Sequence, residues 1–315
     1  MIGKVKVQQG LAESIALARV SDKSFLTKID RQINWQRVED KLQGLYCDHN
    51  GRMSHPPIVL FKILLLEQWY GLSDPEAEEA VRDRLSFHKF LGLNFDDPVP
   101  DETTICRFRN KLKANRLYEE LFSAINAQLD GKRLIVKKGT IVDASLIEAN
   151  CRKPSKGNEA SDPDADWTVK NNKPHFGYKA HLVVDNESQM IRAVELTAAS
   201  VHDSQVLEQL VCGDEQAILA DKAYANEKQK QQCRAIGVYY GVLDKAYRNR
   251  PLSNKQRKRN RKLSVIRSAI ERVFATLKRI YGYRRVRYWG LAANTNHLHL
   301  LAMALNLKRM VVLTP

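Results

Sequence analysis

The sequence has few cysteines, and they show no pairing pattern. Its five cysteines are scattered, odd in number and never spaced as C-x-x-C. Disulfide frameworks and structural zinc sites need paired or clustered cysteines, so this spacing argues against both. Reduced thiols in a cytosolic protein are the expected state.

Long hydrophobic runs are also missing. No apolar run approaches the roughly 18 to 20 residues that a membrane span needs. The most apolar stretch, residues 58–72, contains Lys62 and Glu67, so it is predicted to be a buried helix. The first ten residues lack the apolar core and the small-residue cleavage site of a secretory signal. We therefore expect neither a membrane span nor a secretory signal.

Acidic residues are scarce in one part of the chain. Residues 246–290 contain fifteen Lys and Arg, and Glu271 is their single acidic residue. The net charge is +15, and residues 1–130 hold 18 basic and 19 acidic residues, so the whole excess lies in residues 131–315. Such asymmetry indicates a polyanionic partner. Nucleic acid is favoured over a membrane surface, because neither an amphipathic anchor nor a lipidation motif is found.

The first 130 residues have the periodicity of helices. Apolar residues recur three and four positions apart, and turn signals interrupt them at residues 55–57, 73–75 and 96–98. Asp101 is predicted to cap a helix whose face carries basic side chains: Arg107, Arg109 and Lys111. Short helices that end in a basic one resemble a helix-turn-helix. A solvated basic face explains the same pattern equally well.

From residue 133 onward the pattern changes to strands. Two strands are predicted around a turn at residues 137–139, and a hairpin is predicted from residues 175–185 and 190–198. Between them, residues 153–166 form a polar stretch that is predicted to be flexible. The remaining predicted elements are a helix at 204–211, a strand at 217–224, a helix at 226–237, a strand at 238–244 and a last helix. This order indicates a mixed α/β sheet covered by helices.

Three carboxylates stand out by their positions in this second region. Asp143 interrupts an apolar strand, although Asp is disfavoured there. Asp221 follows the apolar run AILA, at the carboxyl end of a predicted strand, where ligands of α/β sheets commonly bind. Glu271 lies on the last helix. The separations along the chain allow all three to converge on one edge of the sheet.

Metal binding is the chemistry that would require three carboxylates together. Oxygen ligands suit Mg²⁺ or Mn²⁺, and two such ions about 4 Å apart can activate a water or 3′-hydroxyl and stabilise a leaving oxygen. Each acid also has a simpler explanation. Asp143 and Asp221 are possible caps of turns or helices, and Glu271 has Arg267 four residues before it, which allows an ordinary helical salt bridge.

The geometry of the last helix favours the functional explanation for Glu271. Apolar residues from Leu263 to Tyr281 form one stripe with helical spacing. At 100° per residue, Arg267, Glu271 and Lys278 fall within about 40° of one another along a margin of that stripe. A pure surface salt bridge does not need this placement.

The spacing R-x3-E-x6-K of Arg267, Glu271 and Lys278 resembles the signature of DDE transposases from bacterial insertion sequences. The fuller pattern begins with a tyrosine three residues before the arginine, and Ser264 stands at that position here. GTIVDASLI and ILADKAYAN are similar to the regions of the first and second Asp of that family, and TAASVHDSQ (197–205) resembles the stretch after its third strand. FKILLLEQWYGLSDPEAEEAVRDRLSFHKFLGL and PDETTICRFRNKL are similar to the N-terminal region of the insertion sequence five group.

This resemblance implies two domains. Residues 1–130 would form a helical domain for DNA binding and dimerisation. Residues 131–315 would form an RNase H-like catalytic domain, a mixed sheet flanked by helices, without the large β insertion that some relatives carry. Asp143, Asp221 and Glu271 would be the catalytic residues and the ligands of Mg²⁺ or Mn²⁺, in a site for two ions.

The resemblance also implies the reaction. The enzyme would cleave a strand at each end of the insertion sequence and use the 3′-hydroxyl to attack target DNA. Double-stranded DNA, from terminal repeats and target, would be the partner of a homodimer or larger assembly in the bacterial cytoplasm, associated with the nucleoid. The residues expected at DNA are Arg267, Lys278, Arg257, Lys258, Arg259, Arg107, Arg109 and Lys111. The alternative is an inactive DNA-binding derivative that acts as a regulator.

Overall fold

The computed structural model describes residues 10–46, 54–154 and 159–314. Some of the expectations concern residues outside these ranges. They are the absence of a signal segment, which concerns mainly residues 1–9, and the part of the predicted flexible stretch at residues 155–158. Cys47 also lies outside the described residues. No helix within the described residues has both the length and the apolar character to cross a membrane.

The chain divides into two compact units, and their division differs from the predicted one at the C-terminal end. The first unit consists of Met1–Gly131 and His299–Pro315, and the second consists of Lys132–Leu298. Residues 299–315 were predicted within the second domain. They join the first unit because their buried side chains have partners there. Trp69 Nε1 donates to the Ala304 carbonyl at 2.9 Å, and Asn306 Nδ2 donates to Asn126 Oδ1 at 2.9 Å.

The first unit is built of helices around α4, which is buried along nearly its whole length. The bounds are α1 Leu11–Ala18, α2 Phe25–Gln32, α3 Gln36–Leu42, α4 Pro57–Tyr70, α5 Asp74–Asp83, α6 Leu85–Leu91, α7 Glu102–Ala114 and α8 Leu117–Gly131. Local signals in the sequence define their ends. Ser73 and Glu76 form a capping box at α5, and Asp101 accepts a hydrogen bond from the Thr104 amide at α7.

The second unit contains a six-stranded mixed sheet with helices. The strands are β1 Thr140–Glu148, β2 Asp166–Lys170, β3 Lys173–Asp185, β4 Ile191–Ala198, β5 Ala217–Ala220 and β6 Tyr239–Tyr240. The helices are α9 Leu207–Leu210, α10 Glu227–Ala235, α11 Asn254–Arg279 and α12 Leu291–Leu313, the last of which continues into the first unit. Val142, Val183, Ile218 and Ala220 are buried in a core cluster beside the sheet.

The sheet order explains which strands lie side by side at the site. The path is β2-β3-β1-β5-β6, and β4 also pairs with β3. Strand β3 is antiparallel to β1, β2 and β4, whereas β5 is parallel to β1 and β6 is parallel to β5. The predicted fold class, a mixed α/β sheet flanked by helices with a helical N-terminal region, is confirmed.

Several predicted elements differ from the structure. Residues 133–136 do not form the predicted strand, because the Val136 and Lys137 amides donate to the Asp185 carboxylate instead of to a neighbouring strand. Strand β2 was not predicted, since its sequence DWTVK is mostly exposed and follows a polar stretch. The basic tract at 248–262, for which a loop or an extension of the following helix was expected, is helical from residue 254, because Ser253 and Gln256 form a capping box that begins α11.

Candidate active site

Two of the predicted carboxylates lie side by side because of the register of two parallel strands. Val142 of β1 is paired with Ala220 of β5. Asp143 and Asp221 directly follow these two paired residues, so their side chains lie on the same face of the sheet. Local bonds hold both carboxylates: Asp143 Oδ1 accepts from the Ala144 amide at 2.9 Å, and Asp221 Oδ1 accepts from the Lys222 amide at 2.7 Å.

Arg267 joins these two carboxylates. It lies on α11, which packs against β1 and β5. One terminal nitrogen of its guanidinium is 3.4 Å from Asp143 Oδ2, and the other is 3.6 Å from Asp221 Oδ1. The side chain of Arg267 is 13% exposed, whereas those of Asp143 and Asp221 are 27% and 38% exposed. A single cationic group thus occupies the space toward which both acids point.

Burial and charge act in opposite directions on the first carboxylate. Burial raises the pKa of Asp143, the Arg267 guanidinium lowers it, and repulsion from Asp221 raises it further. A carboxylate in such surroundings gains most from a nearby positive charge. The site therefore favours a cation that is shared between the two acids.

A buried polar pair lies behind the carboxylates, and sequence reasoning missed it. His181 of β3 has Nδ1 at 3.2 Å from the Tyr224 hydroxyl and Nε2 at 3.0 Å from Thr197 Oγ1. Burial lowers the pKa of His181 to about 4, so this imidazole is neutral near pH 7. Burial also raises the pKa of Tyr224. The negative charge of Asp143 raises it further, whereas the positive charge of Arg267 lowers it. The available signal was a histidine inside the apolar run of β3.

Glu271, the third predicted carboxylate, lies one turn after Arg267 on α11 and is exposed. Among the described residues, no group of three or more His, Cys, Asp or Glu side chains is arranged to hold a metal ion. The structure therefore brings together Asp143 and Asp221, and the convergence of Glu271 with them stays a prediction. Instead of the ordinary helical salt bridge with Glu271, Arg267 makes contacts with the two aspartates.

The chemistry of the paired aspartates fits a divalent metal ion. Two carboxylate oxygens from different strands converge on one cation, and Mg²⁺ and Mn²⁺ prefer such oxygen ligands. Both carboxylates are more exposed than the guanidinium between them, so a dissolved ion has access to them. Asp143 and Asp221 are the residues that would hold it, and Glu271 as a third oxygen ligand stays a prediction.

Lys278 of α11 lies beside a cavity near Leu146 of β1, three residues beyond Asp143. Its Nζ donates to the Leu146 carbonyl at 3.0 Å, and it lines a cavity of about 330 Å³ together with Lys170, His175 and Arg284. Burial lowers the pKa of Lys278, and repulsion from Lys170 and Arg284 lowers it further. Three cationic side chains and one acid, Glu148, line this cavity, so its net charge is positive.

The predicted DNA-binding tract on α11 contains two kinds of residue. Arg257 and Lys258 are exposed. Arg259 instead holds the segment after β6: it donates to the carbonyls of Tyr240 and Val242 at 2.9 Å and contacts Asp244 at 3.0 Å. These bonds explain its partial burial, and we leave Arg259 out of the proposed DNA contacts.

The predicted basic face of α7 is also divided. Arg107 is exposed, and Lys111 lies over the ring of Tyr46, 3.6 Å from its centroid. Arg109 turns inward, where it contacts Glu67 at 2.9 Å and Asp74 at 2.8 Å. This ion cluster supports the helical unit, so Arg109 too is left out of the proposed DNA contacts.

Comparison with protein families identifies the class of the chain. Residues 135–307 match the family described as Transposase DDE domain, and residues 15–111 match the family described as Transposase domain (DUF772). Because the first match covers more than half of the 315 residues, the chain belongs to the family of DDE transposases.

The two matches together indicate an insertion-sequence DDE transposase. Assignment to the insertion sequence five group stays a prediction. The family supports a function as a DNA transposase, an enzyme that acts on DNA and generally uses divalent metal ions. No solved structure matches the chain.

Proposed function

We propose that this transposase hydrolyses a phosphodiester at each end of its insertion sequence and then joins the 3′-hydroxyl to target DNA. The observation that carries the proposal is the pair of carboxylates on two neighbouring parallel strands, Asp143 within β1 and Asp221 directly after β5, which converge on one cationic group. Both steps are displacements at phosphorus, so one site serves both with a water or a hydroxyl as nucleophile.

Asp143, Asp221 and Glu271 are proposed to hold Mg²⁺ or Mn²⁺, in a site for two ions. When bound, the metal activates the attacking oxygen and stabilises the charge of the leaving oxygen. The contribution of the protein is to position these ligands. The register of β1 with β5 sets the distance between the aspartates, and the packing of α11 on both strands positions Arg267 beside them.

Basic side chains of the second unit are proposed to hold the phosphate backbone of the DNA. Arg267 contacts both carboxylates, Lys278 lies farther along α11 beside Leu146, and Arg257 and Lys258 extend this basic surface along the helix. In the first unit, Arg107 and Lys111 are proposed to contact the terminal repeats. Because two transposon ends must be brought together, we propose a homodimer or larger assembly.

A test of the reaction uses a labelled terminal-repeat duplex and a target plasmid with Mn²⁺. The wild type should nick the duplex and join it to the plasmid, and Asp221→Asn should bind the duplex but do neither. Asp166→Asn is the matched control, because it removes the charge of an exposed aspartate of the same unit. If Asp221→Asn retained full activity, the assignment of the site would be wrong.

The same assay separates the enzyme from an inactive DNA-binding regulator. Ser264, at the position where the family signature has tyrosine, is the observation behind that alternative. A wild-type protein that binds the duplex but neither nicks nor joins it would favour the regulator.

The salt dependence of binding tests the proposed surface of α11. The double variant Arg257→Gln, Lys258→Gln should lower affinity for all DNA sequences and reduce the slope of log K against log salt by about 2, roughly 0.9 for each phosphate contact. Lys228→Gln, which removes an exposed lysine from α10, is the control and should leave the slope unchanged. An unchanged slope in the double variant would exclude this surface from the DNA interface.

A further inference from the structure

We propose that Arg267 is a reversible counter-ion that competes with the divalent metal for Asp143 and Asp221, and that its release couples metal binding to DNA binding. This inference rests on the proposed function, because it takes the two aspartates as metal ligands. It assigns to Arg267 two alternative partners: the carboxylates in the metal-free protein and a DNA phosphate in the loaded one.

The contacts of Arg267 place it in the space that a shared metal ion would use. Its two terminal nitrogens approach one oxygen of Asp143 and one of Asp221, at 3.4 and 3.6 Å. A cation between the same two oxygens has to displace the guanidinium from at least one of them. Metal ion and guanidinium are therefore competitors for the same negative charge.

The guanidinium is held loosely for a side chain with so little exposure. Both contacts are longer than the 2.7–2.9 Å typical of charge-assisted hydrogen bonds. Its Nε is buried and has no hydrogen-bond partner within the part of the chain that the structure describes. An arginine has five N–H donors, and a buried donor without an acceptor costs free energy. The free energy needed to release Arg267 from the two aspartates is therefore modest.

Release of Arg267 would have a second consequence for binding. The freed guanidinium remains on α11 beside the site, where a phosphate oxygen of DNA can accept its hydrogen bonds in place of the carboxylates. Metal binding therefore supplies a ligand for DNA, and DNA binding removes a competitor of the metal. By linkage, each ligand then increases the affinity of the other by the same factor.

The first test measures Mn²⁺ binding to the full chain without DNA, by titration calorimetry. Arg267→Gln removes the competitor, so Mn²⁺ should bind at least about 5-fold more tightly than to the wild type, the lower end of common coupling factors. Arg267→Lys keeps the positive charge but has only one nitrogen to reach the two acids. Its affinity for Mn²⁺ should therefore lie between that of the wild type and that of Arg267→Gln. The control Arg279→Gln removes an exposed arginine from the same helix and should bind as the wild type does.

The outcome of this titration separates the inference from the proposed site. Asp221→Asn should lose most Mn²⁺ binding; if it binds as the wild type does, the metal site itself is wrong. If Asp221→Asn loses binding but Arg267→Gln has an unchanged or weaker affinity, the metal site stands and the competition is refuted. Should Arg267→Gln fail to fold, the comparison of Arg267→Lys with the wild type decides in the same way.

The second test measures the coupling. Mn²⁺ affinity is compared with and without a terminal-repeat duplex, in the wild type and in Arg267→Gln. The duplex should raise the affinity of the wild type by a larger factor than that of the variant, because only the wild type has a competitor to remove. Equal factors in the two proteins would overturn the coupling.

Discussion

In each unit of the transposase an arginine joins two carboxylates, Arg109 in the first and Arg267 in the second, and these two clusters differ in the length of their contacts and in the exposure of their acids. In the first unit, Arg109 makes bonds of 2.8–3.1 Å to Asp74 and Glu67, with two bonds to each acid. In the second unit, Arg267 lies 3.4 and 3.6 Å from its two aspartates. Both arginines have nearly the same exposure, 14% and 13%.

The exposure of the acids explains the difference. Glu67 is fully buried and Asp74 is 17% exposed, whereas Asp143 and Asp221 are 27% and 38% exposed. A closed cluster with short paired bonds cannot exchange its cation without leaving a buried charge uncompensated. An open cluster with long contacts can exchange it. An arginine with two carboxylates therefore forms a closed cluster in one unit and an open cluster in the other.

The largest expected effect is the loss of activity when the open cluster loses an acid. Asp143→Asn should lower the rate of strand cleavage at least on the order of 10²- to 10³-fold, the loss typical of removing a group that stabilises transition-state charge. Single-turnover cleavage of a labelled duplex with Mn²⁺, corrected for the folded fraction, measures it. Asp74→Asn, from the closed cluster, should keep the wild-type rate per folded molecule. Equal losses in both variants would contradict the distinction.

The closed cluster should show its effect in stability instead. Arg109→Met leaves the buried Glu67 without this cation, so the free energy of unfolding should fall by about 3–5 kcal/mol. Chemical denaturation measures the change. Arg107→Met, an exposed position on the same helix, is the control and should stay within about 0.5 kcal/mol of the wild type. A cost below about 1 kcal/mol for Arg109→Met would mean that the cluster does not support the unit.

The polar pair behind the open cluster should make the second unit sensitive to acid. His181 is buried with Tyr224, near Asp203 and Lys179, and its pKa of about 4 in the folded protein is below the unfolded value of about 6.5. The unfolded chain therefore takes up the proton first. Stability from this group is fully present above pH 6.5 and is lost as the pH falls toward 4, by on the order of 3 kcal/mol.

Denaturation curves between pH 4 and pH 7 measure this dependence. His181→Gln cannot titrate in that range, so it should lose less stability on acidification than the wild type does. An identical pH dependence in the two proteins would show that other groups account for it.

The smallest expected effect is the cost of opening the exchangeable cluster. Arg267→Gln should lower the stability of the metal-free protein by about 1 kcal/mol, because both acids keep access to water. Mn²⁺ should restore this loss, whereas it should not restore the loss in Arg109→Met. Thermal unfolding with and without Mn²⁺ measures both. A loss in Arg267→Gln as large as that in Arg109→Met, and independent of Mn²⁺, would make the two clusters equivalent.

Sequence reasoning predicted the positions of the two aspartates well. An acid inside the apolar strand TIVDASLI and another directly after AILA indicated functional residues, and parallel pairing places them together. The same reasoning did not predict β2, and it predicted a strand at residues 133–136, which the structure does not form. In that segment an acid 49 residues away, Asp185, satisfies the amide of Val136. A pattern of neighbouring residues does not contain that contact.

The partners of Arg267 and Arg109 could not be predicted from the periodicity of the sequence. Helical spacing suggested Glu271 for Arg267 and an exposed basic face for Arg109. The structure instead joins Arg267 to Asp143, 124 residues away, and Arg109 to Glu67, 42 residues away. Local spacing ranks the near partner first, because it contains no information about which helices and strands will pack together.

The sequence by itself determined the helical first region, the strands that carry Asp143 and Asp221, and the membership in the transposase family, because these depend on patterns within short stretches. Only the tertiary structure decided which basic residues are exposed and which are held inside by acids. Charge pairing of this kind depends on burial and on contacts between distant elements. For that reason Arg109 makes short contacts with two acids inside the first unit, whereas Arg267 makes longer contacts with two more exposed aspartates in the second.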